Sequence, residues 1–534
     1  MPGERMNRRT FLKFAGGAAA TTTVAGCTGG DGNQNNQTGT TTSGDGGGGQ
    51  TPGNFAVSIT QGQMPSTLDP HNHRETTTDN VVLQAYEGLL ARDAEGKIIN
   101  KLATKYERVN KGTVRFTIRE GVKFHNGDAL TPEDVAFSIN RIVKSNVGGL
   151  ESPQRDQLSG VTGAEVGDGR TVTVNSEGIN PIVFSLFASY CDIMQKKWVQ
   201  NHNKNFIAKN MNGTGPFTLK NYNEGVQVVF ERNQNYWRDP AAVSQLTFDA
   251  AQESSTRVNQ LLNGETDIIV NVPPQDAGRV KQSNKSRLAA VPSTRIIYNA
   301  MRYDAKPFDS QKFRQAMNLA IDLPSIISNV LSNFADQTGQ PTLEGFTGYN
   351  GNVGPYPTNK SKAERLVEES GNAGANITLH TPVGRYLKDL EIAQAVSQQI
   401  NELSNVNCSV KQREFNTLAG ELTDGKIETG PKFYLIGWGN ATFDASQTII
   451  PLLTTDGALT SFSNERVDRL MKEAQNMPDG KKRNAKLKEA NKVLHDQAPW
   501  IYLNRQYSVY GVNSQLQWKA RRDERIEAYA ISKK

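Results

Sequence analysis

The chain has 534 residues, of which 36% are hydrophobic and 21% charged, and its formal net charge is +6. This length allows two or three domains with a sizeable core, and the composition excludes a polytopic membrane protein and a wholly disordered chain. The 60 basic residues nearly balance the 54 acidic ones, so charge gives no case for nucleic-acid binding, and 3 cysteines exclude a disulfide scaffold.

Residues 1–26 are predicted to be an export signal. Arg8 and Arg9 precede a weakly apolar run that is too short to span a membrane. The adjacent arginines resemble a twin-arginine export signal. Residues 24–27 read Val-Ala-Gly-Cys and resemble a lipoprotein box, in which the thiol of Cys27 carries the lipid. We therefore expect twin-arginine export and a lipid anchor on the outer face of the cytoplasmic membrane.

The next segment, residues 27–53, is predicted to be a flexible tether. It consists almost entirely of Gly, Thr, Asn, Gln, Ser and Asp, and it has too few apolar side chains to fold. The body that follows should therefore lie outside the membrane. ATP and NAD are kept inside the cell, so we expect no cofactor.

The body mixes strand-like and helix-like patterns along its length. Residues 113–119 alternate between apolar and polar, as does the run 226–230, and both predict strands. Thr131 precedes a Pro and two acids, which predicts the start of a helix. Apolar spacing over 313–321 and over 392–403 predicts two amphipathic helices. Interleaved strands and helices predict an α/β fold.

Two fragments have the spacing of nucleotide-binding motifs without their chemistry. Residues 213–218 begin like a dinucleotide-binding loop, but Thr218 replaces its third glycine and Pro216 falls where its helix should begin. A tight turn into a strand is predicted instead. Residues 420–427 have P-loop spacing, but Ile427 stands where a hydroxyl should hold magnesium. Since no nucleophile or acid–base motif is found either, we predict that the protein is not an enzyme.

Histidine and cysteine give no metal site. His71 and His73 lie in a polar stretch and are expected to be solvated, and no cysteine pair has metal-ligand spacing. If this histidine pair faced a cleft, it would favour a metal ligand. Cys191 and Cys408 could form one disulfide or stay apart as buried thiols, and sequence does not decide between these; we expect two separate thiols.

Four segments of the body, in order, resemble extracytoplasmic solute-binding proteins of family 5, the peptide/nickel class of ABC importers. One of them reads Phe-Thr-Ile-Arg-Glu-Gly-Val-Lys-Phe-His-Asn-Gly-Asp and is very close to a stretch typical of the family. Weaker similarity continues to residues 498–501, so the resemblance covers essentially 54–534. The segments are 67–70 with 86–90, 116–138, 213–217 with 231–237, and 307–322.

The resemblance implies a periplasmic-binding-protein-like fold of class II, an α/β fold with two hinged lobes and an extra inserted domain. Ligand binding would favour the closed form, which would dock on a membrane permease served by separate ATPase subunits. We expect a monomer. The implied domains are domain I (54–93, 205–298 and 508–534), domain II (94–204) and domain III (299–507).

The loop 381–386 is the first candidate for the ligand site. It follows an alternating strand at 377–379, and open α/β sheets usually hold ligands where strands end. Relatives carry in a comparable loop an arginine that pairs with a ligand carboxylate, which implies this role for Arg385 beside Tyr386. The alternative is a surface arginine that only packs on Tyr386.

The loop 437–445 is the second candidate. Many relatives read Trp-x-x-Asp-x-x-Asp-Pro here, and their first Asp binds the amino terminus of a peptide. This chain has Ala441 at that position, so the ammonium anchor is missing unless Asp444 replaces it. Trp438 could be a stacking wall for the ligand or part of the core. Trp438, Asn440 and Asp444 are therefore further ligand-binding candidates.

The sequence thus predicts a lipid-anchored receptor that delivers oligopeptides or a related polar solute to an ABC importer. A nickel-chelate or glycoconjugate receptor of the same fold is one alternative. A surface hydrolase and a sensor that signals to a receptor kinase are alternatives from other classes.

Overall fold

The computed structural model describes residues 53–424 and 426–534. The predicted export signal, Cys27 and the tether as far as residue 52 lie outside these residues. Among the helices described, none is both long and apolar enough to cross a membrane.

The strands are numbered in chain order. They are β1 (Phe55–Gln61), β2 (Leu90–Arg92), β3 (Ile98–Asn100), β4 (Ala103–Asn110), β5 (Thr113–Ile118), β6 (Val161–Val166), β7 (Thr171–Ser176), β8 (Phe217–Asn223), β9 (Gln227–Arg232), β10 (Val243–Ala250), β11 (Ile268–Val270), β12 (Ser286–Met301), β13 (Ala335–Gln337), β14 (Ala375–Pro382), β15 (Val406–Arg413), β16 (Phe433–Gly439), β17 (Trp500–Asn513), β18 (Leu516–Gln517) and β19 (Ser532–Lys533).

The α-helices are numbered in the same way. They are α1 (Thr76–Val82), α2 (Pro132–Val143), α3 (Val183–Phe187), α4 (Lys196–Asn201), α5 (Lys204–Ile207), α6 (Ser254–Asn263), α7 (Ala277–Gln282), α8 (Gln311–Ala320), α9 (Leu323–Ser325), α10 (Lys360–Glu369), α11 (Asp389–Asn401), α12 (Phe415–Thr423), α13 (Ser446–Leu453), α14 (Glu465–Gln475) and α15 (Lys481–Gln497). Shorter helical turns lie at Arg155–Leu158, Pro274–Asp276, Ile326–Val330, Ile427–Thr429 and Ala528–Ala530.

One large sheet runs through the molecule in the order β15-β14-β16-β12-β17-β11-β1-β10-β9-β8, with β13 added beside β17. At its centre, β12 and β17 pair antiparallel along most of their length, with a break in register between Pro292 and Ile296. On one side β1 lies parallel to β10 and β11, and on the other β14 lies parallel to β15 and β16. We refer to residues 53–298 with 508–534 as lobe 1 and to residues 299–507 as lobe 2.

Helices of lobe 2 cover both faces of the sheet around β12, β16 and β17. Alternation along β12 sends Ile297 into a core shared with α8 and α11, whereas Ile296 and Tyr298 enter a second core shared with α13 and α15. The ring of Tyr298 stacks on that of Trp500 at 3.6 Å between ring centroids. Strands buried on both faces in this way hold the end of the sheet that carries the candidate loops.

Residues 94–204 carry a separate four-stranded antiparallel sheet, in the order β4-β5-β7-β6, with its own hydrophobic core. Helix α2 packs there and begins with a capping box, in which the Thr131 hydroxyl accepts a hydrogen bond from the Asp134 N–H and the Asp134 carboxylate accepts one from the Thr131 N–H. The exact domain boundaries stay a prediction.

The structure confirms the α/β two-lobed fold class and the elements predicted from periodicity: β5, β9, α2, α8 and α11 all lie where the patterns place them. Ser310 caps α8 by accepting a hydrogen bond from the Phe313 N–H. The fragment at 213–216 leads into β8, as a tight turn into a strand should. Cys191 and Cys408 are both free and buried, which agrees with two separate thiols.

Candidate ligand-binding site

The loop between β14 and α11 presents Arg385, and the buried carboxylate of Asp389 holds this loop in shape. Asp389 accepts hydrogen bonds from the backbone N–H groups of Gly384 (3.1 Å), Arg385 (2.9 Å) and Tyr386 (2.9 Å). Gly384 has φ +77°, and a Cβ there would lie 2.4 Å from the Gln252 carbonyl oxygen, so the turn requires glycine. Arg385 therefore has a fixed position.

The Arg385 side chain is a buried cation without an acidic partner among the described residues. Its residue is only 7% exposed, and its Nε makes no hydrogen bond. The guanidinium lies over the rings of Tyr386 and Phe415, at 4.7 and 5.1 Å from their centroids. Burial, together with the nearby charge of Arg295, lowers its pKa. Burying an unpaired cation costs free energy, and an anion that pairs with the guanidinium offsets this cost.

Trp438 lies near the end of β16, next to Gly437, whose carbonyl oxygen accepts a hydrogen bond from the Tyr386 hydroxyl at 3.3 Å. Its indole Nε1 is buried and has no hydrogen-bond acceptor within the described part of the chain. The guanidinium of Arg74, from lobe 1, lies 5.2 Å from the indole centroid and also donates to Asp156 at 2.7 Å. Trp438 thus forms a wall where the lobes meet, with one N–H donor unused.

Asn440 and Asp444 face away from this wall. The Asn440 amide donates to the Asp444 carbonyl oxygen (2.8 Å) and to the Thr448 hydroxyl (2.9 Å). The Asp444 carboxylate accepts two hydrogen bonds from the buried Arg483, at 2.7 and 2.8 Å. Both residues are buried, and neither borders the cavity described next. Their hydrogen bonds shape the loop and leave no free group for a ligand.

Between the lobes lies a cavity of about 390 Å³ that Arg385, Tyr386 and Trp438 all line. This volume is at the lower end of the range for small-molecule sites. Aromatic rings from both lobes form much of its wall. They belong to Tyr190, Tyr298, Tyr386, Phe415, Tyr434 and Trp438.

Lobe 1 contributes polar groups to the cavity, and of these the sequence analysis had considered only His73. His73, Glu75 and Asp79 line the cavity, in and just before α1. His73 is 3% exposed, and its two ring nitrogens lie 3.8 Å from the Glu75 carboxylate and 3.9 Å from the Asp79 carboxylate. His73 and Glu75 fall in an irregular segment and Asp79 in the short helix α1, so no clear periodicity predicts which of these side chains face inwards.

The expectation that His71 and His73 are solvated is wrong, because both are buried. His71 lies in the protein interior, where its Nε2 is 2.6 Å from the Asp192 carbonyl oxygen, and burial lowers its pKa to about 3. Only His73 reaches the cavity. Over the described residues, no cluster of His, Cys, Asp and Glu is able to hold a metal ion.

Two lobes joined by a shared strand pair, with an aromatic and charged cavity between them, define a cleft-type ligand-binding protein. The chain belongs to the bacterial extracellular solute-binding proteins of family 5, whose middle-region model matches residues 97–459. It is a substrate-binding receptor of an ABC importer and works outside the cytoplasm.

The glutathione-binding protein GsiB of Pectobacterium atrosepticum is 26% identical over 454 residues, covering 83% of this chain and 87% of GsiB. Among solved structures, DppA of Helicobacter pylori in complex with the peptide STSA gives a TM-score of 0.83 at 19% identity, covering 90% of this chain and 98% of that one. NikA of Staphylococcus aureus in complex with Ni(L-His)2 gives 0.80 at 19% identity, covering 90% and 100%.

Proposed function

We propose that this receptor binds short peptides, or small polar solutes with a carboxylate, and delivers them to its ABC permease. The observation that carries this proposal is Arg385, a buried guanidinium without an acidic partner in the described residues, which faces a cavity between the lobes. A guanidinium grips a carboxylate through two parallel hydrogen bonds. Tyr386 and Trp438 form the adjoining aromatic walls.

Asn440 and Asp444 do not enter this proposal, because their polar groups are already bonded within the loop. The cavity volume favours a ligand of two or three residues over a long peptide. Binding at this place brings groups of both lobes together, so the ligand stabilises the closed form that the permease receives.

The function as a receptor needs no catalytic group, and the named relatives are transport receptors. We therefore propose no reaction for this cavity and no resident cofactor. We also propose that the protein acts as a monomer, anchored by a lipid on Cys27 after twin-arginine export. Replacing Cys27 by Ala should release the protein into the medium, and replacing Arg8 and Arg9 by Lys should keep it inside the cell.

The test of the ligand class is native mass spectrometry of the full chain purified from its own organism. Bound masses that correspond to di- or tripeptides, lost in Arg385→Met but kept in Arg466→Met, are the expected result. Arg466 is an exposed arginine that pairs with Glu489 and lies outside the cavity, so it is a matched control. A saccharide mass would instead identify a glycoconjugate receptor.

A metal chelate is the second candidate, because His73 lines the cavity with both ring nitrogens free of hydrogen bonds. A chelate that brings its own ligands needs only one imidazole from the protein. Titration with Ni²⁺ and L-histidine should then give binding that His73→Ala abolishes. Absence of any nickel adduct in the native spectrum of the wild type would remove this candidate.

A further inference from the structure

Most charged groups around the cavity are matched by a partner of opposite charge. Arg295 pairs with Glu524 at 2.6 Å, and Asp523 pairs with Arg521 at the same distance. The Arg74 guanidinium donates to Asp156, and the charge of Arg525 acts on Asp523 and helps to lower the pKa of that carboxyl. These groups belong to the framework of the cleft.

Three carboxylates of lobe 1 that line the cavity have no arginine or lysine within ion-pair distance among the described residues: those of Glu75, Asp79 and the exposed Glu151. Glu75 and Asp79 share one titratable neighbour, His73, at 3.8 and 3.9 Å. Asp79 is 29% exposed, and its carboxylate accepts no hydrogen bond from the residues that the structure describes. Glu75 accepts only neutral donors, the Arg74 backbone N–H at 3.1 Å and the Ser66 hydroxyl at 3.5 Å. Both line the same cavity as Arg385, which lies on lobe 2.

His73 lies between these two carboxylates and is an independent sign of a ligand. It is 3% exposed and faces the cavity, yet neither ring nitrogen has a hydrogen-bond partner in the described chain. Buried polar groups are almost always hydrogen-bonded, since removing one from water without giving it a partner is unfavourable. An imidazole has at most one acceptor nitrogen, so this nitrogen and the two carboxylates give three acceptors that border the cavity, and the charge of Glu75 also acts on Arg385.

We propose that His73, Glu75 and Asp79 form a cation-binding subsite, so that the ligand is a zwitterion with its ammonium group here and its carboxylate at Arg385. An ammonium group has three N–H donors and no acceptor, which matches these three acceptors. This inference rests on the proposed function, because it places one end of the same ligand. It assigns the amino end to lobe 1 rather than to the Trp438 loop.

The arrangement also couples binding to closure. The ammonium group bonds lobe 1 and the carboxylate bonds lobe 2, so one molecule satisfies both only when the lobes are close together. A ligand with only one of the two charges makes half of these bonds and shifts the population less.

The experiment compares three probe libraries of amino acids, dipeptides and tripeptides: unmodified, N-acetylated and C-amidated. Each is titrated into the full chain, and bound fractions are measured by native mass spectrometry. The proteins are the wild type, Asp79→Asn, Glu75→Gln and the control Asp239→Asn, an exposed carboxylate outside the cavity. Thermal unfolding of each variant verifies that it folds.

We expect acetylation to weaken binding to the wild type at least about tenfold, as loss of one charge-assisted contact does. Asp79→Asn should weaken binding of the unmodified library by a similar factor and leave the residual binding of the acetylated library within about threefold. Glu75→Gln should act in the same direction, and Asp239→Asn should bind like the wild type.

Equal binding of unmodified and acetylated probes, both lost on amidation, would overturn the zwitterion and keep a carboxylate receptor. Asp79→Asn weakening both libraries equally would overturn the subsite, because a merely structural role has this effect. Binding of no probe by a folded wild type would overturn the proposed peptide function together with the subsite.

Discussion

Two neighbouring loops of lobe 2 leave parallel strands at the same edge of the sheet, but one carries an unpaired charged side chain and the other a paired one. The loop after β14 carries Arg385, whose guanidinium has no acidic partner in the described residues. The loop after β16 carries Asp444, whose carboxylate is bound twice by Arg483. Arg385 and Asp444 are therefore similarly buried but differ in role: Asp444 is paired within its own lobe, whereas Arg385 is open to an acidic ligand.

The comparison teaches that burial alone does not identify a binding residue. A charge bonded within its own lobe stabilises the fold, whereas a charge that lacks a partner costs free energy until a ligand supplies one. Substituting a charge of the first kind should lower the stability of the protein. Substituting one of the second kind should lower its affinity for the ligand. Four substitutions test this difference.

The largest effect is expected for Arg483→Met, which leaves the Asp444 carboxylate buried and unpaired. Removing one partner of a buried pair costs about 3–5 kcal/mol. Urea unfolding should show this loss. Arg466→Met, which breaks the exposed pair with Glu489, should cost less than about 1 kcal/mol.

If Arg483→Met unfolds at the urea concentration of the wild type, the assignment of Asp444 to the framework is wrong. The double variant Arg483→Met with Asp444→Asn should recover part of the loss, because it removes the uncompensated charge as well.

Asp389→Asn tests the support of the Arg385 loop through pH. Burial raises the pKa of Asp389 to about 6 from the usual 3.8, although four backbone N–H groups act in the opposite direction. Between these two pKa values the folded protein binds more protons than the unfolded chain. The protonated Asp389 therefore stabilises the wild type below about pH 4, and this stabilisation is lost as the pH rises through about 6.

Relative to Asp389→Asn, the wild type should therefore gain about 2–3 kcal/mol of unfolding free energy between pH 7.5 and pH 4. The comparison with the variant removes the contribution of Asp192, whose pKa burial also raises to about 6. A difference that does not change with pH would contradict a raised pKa at Asp389.

Arg385→Met should lower affinity for the unmodified peptide library by about 10–100-fold, the equivalent of one charge-assisted carboxylate contact. Its thermal stability should be equal to that of the wild type or higher, because the substitution removes an unmatched buried charge. A clear loss of stability with unchanged affinity would show that Arg385 belongs to the framework instead.

The smallest effect is expected for Trp438→Phe. This substitution keeps an aromatic wall and removes the indole N–H, which has no acceptor in the described chain. If the ligand accepts a hydrogen bond from that N–H, affinity should fall about threefold, as for one neutral hydrogen bond. Calorimetric titration measures this change, and unchanged affinity would leave Trp438 as an apolar wall only.

The sequence predicted the elements with clear periodicity, such as α8 and α11, because each has one apolar face that packs on the sheet. It also placed Arg385 at the end of a strand. It could not tell that Arg483, about 40 positions along the chain, bonds Asp444, since that contact depends on how α15 packs. Glu75 and Asp79 were missed, and His73 was expected to be solvated, because an irregular segment and the short helix α1 give no periodicity that predicts where these side chains point.

The strand at the centre of the large sheet, β17, follows every other described strand and helix of lobe 2 along the chain. β17 ends at Asn513 and lies between β12 and β11. The strand that pairs with β11 of lobe 1 therefore comes from residues more than 200 positions further along the chain. During synthesis neither lobe completes the hydrogen bonding of the large sheet until the chain has been made as far as β17. The two halves are therefore not separable folding units, and a truncation that spares every cavity residue of lobe 2 but removes β17 should give no folded product.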